Sequence, residues 1–112
     1  MNTPWGRGWI TEQYARGFSS ISTAGHGGFA IANGFAEKHL SEAARKRAIR
    51  MAGYHFYEED CDWAIPAVEL PEFWPQIFRY MRCADPRGYL LRIVSSLCPE
   101  YLVERGLSLV EA

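Results

Sequence analysis

Proline decides most of what the second half of this chain can become. It recurs at Pro66, Pro71, Pro75, Pro86 and Pro99. Its ring clashes with a preceding helical turn and it has no amide hydrogen to donate, so each proline belongs in the first turn of a helix or ends the helix before it. The region is therefore a series of short helices. Asp60 or Asp62 caps the first, with Trp63, Ala64, Ala67 and Val68 as its buried side. Pro71 opens the second, where Trp74, Ile77, Phe78 and Met81 recur at helical spacing. Asp85-Pro86 is a cap followed by proline at the first helical position, and Tyr89, Leu90, Ile93, Val94 and Leu97 mark the buried face of that helix. Pro99 begins the last, which Gly106 stops.

The first third has strand character. Pro4-Trp5-Gly6 has turn chemistry, residues 9–14 are rich in β-branched and aromatic side chains, and Arg16-Gly17 supplies the next turn. Residues 18–23 form a second strand by propensity rather than by clean alternation, and residues 29–32 a third. Asn33 then caps a short helical turn. Ser41 caps a longer helix in which Ala44, Ala48, Met51 and Ala52 face inward and Arg45, Lys46, Arg47 and Arg50 outward, with Gly53 as its stop. Residues 54–57 return as a fourth strand. The expectation is an α+β fold in one domain over residues 1–112: a small antiparallel sheet of three or four strands in the N-terminal half, packed against three to five helices in the C-terminal half.

Composition limits the partners. Hydrophobic residues make up 48% of the 112 and aromatic residues 14%, enough for one core. Twelve basic and thirteen acidic residues give a formal net charge of −1. That removes the broad electrostatic drive toward nucleic acid or an anionic membrane, so direct nucleic-acid binding is not expected. No apolar run approaches the roughly 20 residues of a membrane span. Cys61, Cys83 and Cys98 are odd in number, without CxxC spacing and without a leader ahead of them, which predicts reduced thiols in a cytoplasmic protein. The unpaired thiols and aromatic residues permit a homodimer without arguing for one.

Two segments carry chemistry. In Ser22-Thr23-Ala24-Gly25-His26-Gly27-Gly28, glycines flank the histidine and leave its imidazole accessible. A general base, a metal ligand, an anion-binding nest of backbone amides and a plain glycine-rich hairpin all fit that pattern. In Tyr57-Glu58-Glu59-Asp60-Cys61-Asp62-Trp63, four carboxylates fall within five positions, a density that needs cations, helix N-terminal amides or a basic partner to offset it. Asp60 and Asp62 have a capping role available; Glu58 and Glu59 do not. The glutamates can bind a divalent ion, pair with the basic stretch 45–50, or face a basic partner protein.

Other candidates are weaker. Cys61 among carboxylates has its thiol pKa raised, which argues against a nucleophile, and no Gly-x-Ser-x-Gly elbow is present for acyl transfer. The basic run 45–50 reads as a solvated face. Trp63, Trp74 and Phe78 read as core, whereas Trp5 and Trp9, separated by glycines near the start, are candidate exposed anchors.

These residues resemble an uncharacterised family of small phage, plasmid and other mobile-element proteins. The similarity rests on Pro4-Trp5-Gly6, on the Ser-Thr-Ala-x-His-Gly-Gly loop at residues 22–28, and on the Tyr-Glu-Glu-Asp-Cys-acidic-aromatic-Ala segment at residues 57–64. It covers roughly residues 3–75 and leaves the helical tail from Asp85 outside; Gly25 stands where serine is as often expected. The resemblance implies a genomic context, that of anti-CRISPR-like and antirestriction-like counter-defence factors that bind a host protein or ribonucleoprotein complex. Under that reading the protein is a non-enzymatic inhibitor without a cofactor, and Glu58, Glu59, Asp60, Asp62, Trp5 and Trp9 are its partner-binding residues. The alternative is a small enzyme or ligand-binding domain, with His26 and Glu59 catalytic or His26 and Glu58 holding a metal.

Overall fold

The computed structural model describes residues 1–60 and 62–108. Its scaffold is an antiparallel sheet of five strands, β3 (Trp9–Ala15), β4 (Phe18–Ser22), β5 (Gly27–Ala32), β7 (Tyr54–Glu58) and β6 (Ile49–Met51), in the spatial order β3-β4-β5-β7-β6. A separate ribbon, β1 (Asn2–Thr3) and β2 (Gly6–Arg7), turns at Pro4-Trp5, where the Thr3 hydroxyl donates to the Gly6 carbonyl at 2.6 Å. The α+β class is as the sequence suggests, but the sheet is larger than expected and is completed late in the chain.

The extra strand corrects the longest helix expected in the first half. Ser41 does cap a helix, its hydroxyl accepting from the Ala44 amide at 3.1 Å, but that helix, α2 (Glu42–Arg45), lasts four residues. Ala52 and Gly53 then take φ of 53° and 86°. Two positive φ values in succession make the tight turn whose twist suits an antiparallel hairpin. Gly53 thus closes a hairpin instead of ending a helix, and Ile49, Arg50 and Met51 pair with Phe56, His55 and Tyr54. The supposed inner stripe is broken accordingly, with Met51 and Ala52 exposed.

Strand alternation divides the core. Phe18, Phe29, Ile31 and Tyr57 face the helices and form the main cluster, while Ile21, Ala30 and Phe56 face the other way and are covered by Met1, Trp5 and Tyr54. The helical layer begins with α1 (Asn33–His39) and α2, which precede the last two strands, so the helices are not confined to the C-terminal half. Asn33 does not cap α1; its side-chain oxygen lies 2.8 Å from Nδ1 of the buried His55. After the sheet come α3 (Ala64–Val68), a 3-10 turn (Pro71–Phe73), α4 (Trp74–Ile77), α5 (Pro86–Leu97) and α6 (Pro99–Arg105). The six α-helices among the described residues exceed the expected number. Every residue of α3 is buried, and α3 packs on α5. Helix α5 starts as its sequence dictates, with Pro86 in its first turn and the Asp85 carboxylate accepting from the Gly88 amide at 3.0 Å. Gly106, at φ 65°, ends α6. No helix among the described residues is long and apolar enough to cross a membrane.

One carboxylate ties this layer together. Glu69, just after α3, accepts from the Ser41 amide at 2.7 Å, the Ser41 hydroxyl at 2.6 Å, the Tyr101 hydroxyl at 2.5 Å and the Arg105 guanidinium. Its side chain is only 6% exposed, so the loss of these donors would strand a buried charge and the loss of the charge would strand the donors. Glu69→Ala is expected to destabilise the fold by about 3 kcal/mol, and Tyr101→Phe by about 1 kcal/mol, as read from urea denaturation.

Candidate functional site

The loop holding His26 is shorter than its glycines suggest. Gly27 and Gly28 are buried strand residues, paired with Ser22 and Ile21, and only residues 23–26 turn. Thr23 closes the turn: its amide donates to the His26 carbonyl at 2.8 Å, and its hydroxyl accepts from the His26 amide at 3.1 Å. The glycines serve close approach of strands rather than an anion nest. A Cβ on Gly28, at φ 156°, would lie 2.0 Å from the Tyr57 carbonyl oxygen, whereas a Cβ on Gly25 would meet nothing within 4 Å.

The turn delivers His26 to the face of the sheet opposite the helices. There its Nδ1 lies 3.4 Å from Glu58 Oε2, with the imidazole half-exposed. Its ring stacks near Trp5, with centroids 6.3 Å apart, and Trp5 meets Phe56 edge-on at 5.9 Å. His26, Glu58 and Trp5 thus form one constellation.

Glu59 is not part of it. Successive strand side chains point to opposite faces. Glu58, paired with Gly28, turns to the His26 side, while Glu59 continues the strand, its amide donating to the Gly27 carbonyl at 2.9 Å, and turns toward the helices. Its carboxylate lies over Gly27, close enough that a Cβ there would be 2.8 Å from Oε2, and it lines a cleft with Tyr14, Phe29 and Trp63. The grouping of His26 with Glu59 as a catalytic pair is therefore corrected by the two-residue period of the strand. For the metal alternative, His26 and Glu58 are adjacent, but no group of three or more His, Cys, Asp or Glu among the described residues could hold a metal ion.

The remaining acidic residues keep to the turn after β7. Asp60 is exposed and Asp62 half-buried. Neither caps α3, whose N-cap residue is Trp63 and which has no side-chain capping bond; the Trp63 amide instead donates to the Glu58 carbonyl at 3.0 Å. Burial, and next the charge of Glu58, hold the Asp62 carboxyl above the ordinary aspartate range. Cys61 lies outside the described residues. The basic stretch does not neutralise this turn: Lys46 and Arg47 pair with Glu104 at 2.8 and 3.1 Å, and Arg47 also donates to the Ala43 carbonyl at 2.8 Å and to Cys98 Sγ at 3.3 Å. Trp9 is 57% exposed, on the edge strand β3 opposite Ser22, so it faces the helix side and is separated from Trp5 by the sheet. Arg45, Arg50 and the buried His55 meet Glu37 and Glu42 in a second cleft of mixed charge, where burial first and then Arg50 and Arg45 lower the imidazole pKa.

A family described as a domain of unknown function, DUF7007, matches residues 1–102. The chain belongs to that family. The match runs through α5 and into α6, as far as residue 102, and so takes in much of the helical tail from Asp85. No curated protein and no solved structure matches the chain.

What sequence reading missed is the cleft beside Glu59. Trp63 and Phe78 do pack against or within the core, as expected, yet both also line that cleft together with Tyr14 and Tyr89. The available signal was Glu59 standing two residues after Tyr57, hence on the same sheet face.

Two outcomes test this geometry. Gly28→Ala is expected to cost at least about 2 kcal/mol through strain and overlap, while Gly25→Ala leaves thermal stability within a few tenths of a kcal/mol. For Asp62, a carboxyl pKa raised on folding disfavours the charged native state, so stability is lost as pH rises from the ordinary aspartate value through the raised one. Asp62→Asn is therefore expected to stabilise the protein at pH 7 by less than about 1 kcal/mol, given partial exposure, and the gain should vanish below pH ~3.9.

Proposed function

We propose that this protein is a non-enzymatic binding protein of mobile-element origin that blocks a host defence complex, in the manner of an anti-CRISPR or antirestriction factor, in the cytoplasm of a bacterial host. The observation that carries the binding reading is the charge arrangement at the end of β7. Glu58, Asp60 and Asp62 gather at one turn, with the half-exposed His26 beside Glu58, its Nδ1 3.4 Å from Oε2. Two cations of the basic stretch, Lys46 and Arg47, are held by Glu104 instead. Burial first and then the charge of Glu58 raise the Asp62 pKa, and a basic partner brought against the turn favours its charged carboxylates on binding.

Trp5 supplies an aromatic contact beside the carboxylates, its ring stacked near that of His26. A partner whose own task is to hold nucleic acid presents the complementary positive surface, so the acidic turn competes with the nucleic acid for it. The mobile-element origin and the defence target rest on the resemblance carried by Pro4-Trp5-Gly6, residues 22–28 and residues 57–64.

The test is capture of the partner from a native host lysate by the intact chain, followed by charge reversal. The combination Glu58→Lys with Asp60→Lys is expected to lower the association rate by about tenfold or more at low salt, with the difference shrinking as salt is raised. Unchanged capture and unchanged inhibition by a variant whose circular dichroism and melting remain native would sink the proposal.

A further inference from the structure

On the helix side of the sheet, Glu59 opens onto a cleft of about 360 Å³, within the size range of small-molecule sites. Its walls are aromatic: Tyr14, Phe29, Trp63, Phe78 and Tyr89 all contribute. Trp63 meets Phe29 and Phe78 edge-on, with centroids 6.2 Å apart in each case, and Phe78 meets Tyr89 at 6.0 Å in the same way. The rings are inclined to one another by 83°, 62° and 79° in that order.

The polar groups of the lining are hydroxyls, those of Thr11 and the tyrosines among them, and one carboxylate. Ser20 and Ser22 bring hydroxyls, and the Tyr14 hydroxyl lies 3.1 Å from Ser20 Oγ, kept protonated by burial, which raises its pKa. Glu59 is the one charged residue among the described residues of the lining, and its carboxylate makes no ion pair or side-chain hydrogen bond there. Arg79, next in sequence to Phe78, is engaged elsewhere: it pairs with Glu12 at 3.4 Å, lies over the Tyr80 ring, and does not line the cleft. Aromatic faces and a carboxylate both favour positive charge, and nothing in the lining supplies it.

We propose that this cleft is a binding site for a small organic cation, an ammonium or guanidinium carried on an apolar body, with Glu59 taking the charge and the aromatic walls taking the body. An organic anion is repelled by the same carboxylate. A neutral molecule of the same shape keeps the apolar contact and loses the charge-assisted one. The site is separate from the acidic partner surface, since Glu58 and Glu59 point to opposite faces of the sheet.

The experiment is a titration of the isotopically labelled full chain, followed by amide and side-chain NMR shifts, with three probes of one shape: phenethylamine, phenethyl alcohol and phenylacetate. The amine is expected to bind at least about tenfold more tightly than the alcohol and to shift Phe29, Trp63 and Tyr89 signals, with phenylacetate weakest. Glu59→Gln should level the amine with the alcohol while the alcohol's own affinity stays as it was. The double reversal at Glu58 and Asp60 should leave the amine's affinity within about threefold, so loss of partner capture and loss of cleft binding are separable. Equal affinities for amine and alcohol, an amine preference that survives Glu59→Gln, shifts centred on His26 instead of the cleft, or no binding of any probe overturns the assignment.

Discussion

The approach of β7 to β5 at Gly28 is the contact on which the rest of the molecule depends. A side chain there would run into the Tyr57 carbonyl, so only glycine lets the central strand pair with β4 on one side and β7 on the other. That pairing fixes the register of Phe29 with Tyr57 and of Gly28 with Glu58. Register in a sheet is also a choice of face, because a slip of one residue turns every side chain over. The same contact that builds the core therefore assigns Glu58 to His26 and Glu59 to the cleft.

The helical layer follows from a second constraint of a different kind. From α3 onward its helices are cut short by proline into pieces too brief to be stable alone, and they hold only by packing and by bonds between pieces. Tyr57 reaches from the sheet to donate to the Ala44 carbonyl at 2.7 Å, and Trp74 donates to the Ala67 carbonyl at 2.7 Å. Glu69 then collects Ser41, Tyr101 and Arg105 at one carboxylate. A buried acid in that position is a structural cross-link between α2, α3 and α6.

Legibility in the sequence tracked how local each determinant is. Asp85-Pro86, Ser41 and Gly106 act within one turn of themselves, and their caps were readable. Asn33 looked like a cap for the same reason, but its oxygen is taken by His55, 22 residues away, which no local pattern announces. The spacing of Ala44, Ala48, Met51 and Ala52 imitated a helix, yet β7 offered Ile49–Met51 an unpaired edge, and ladder hydrogen bonds with a tight turn outweighed a weak helical stripe. Glu69 was invisible because its partners lie 28 to 36 residues away. The union of His26 with Glu58 was open to sequence reasoning only as one pairing among several, since strand alternation decides it and the end of the strand was not fixed.

The near-zero net charge conceals a separation that the fold enforces. Arg50 stands opposite His55 on the hairpin, and Glu58 is three residues further along the same strand, a separation of roughly 10 Å at the strand rise per residue. That distance is about one Debye length at physiological ionic strength, so exposed charges at the two ends of β7 scarcely compensate each other. Lys46 and Arg47 are nearer to Arg50 in the chain and are bound by Glu104 from α6. The acidic turn is therefore separated from the basic stretch by the length of β7, and the fold sets the two charges apart.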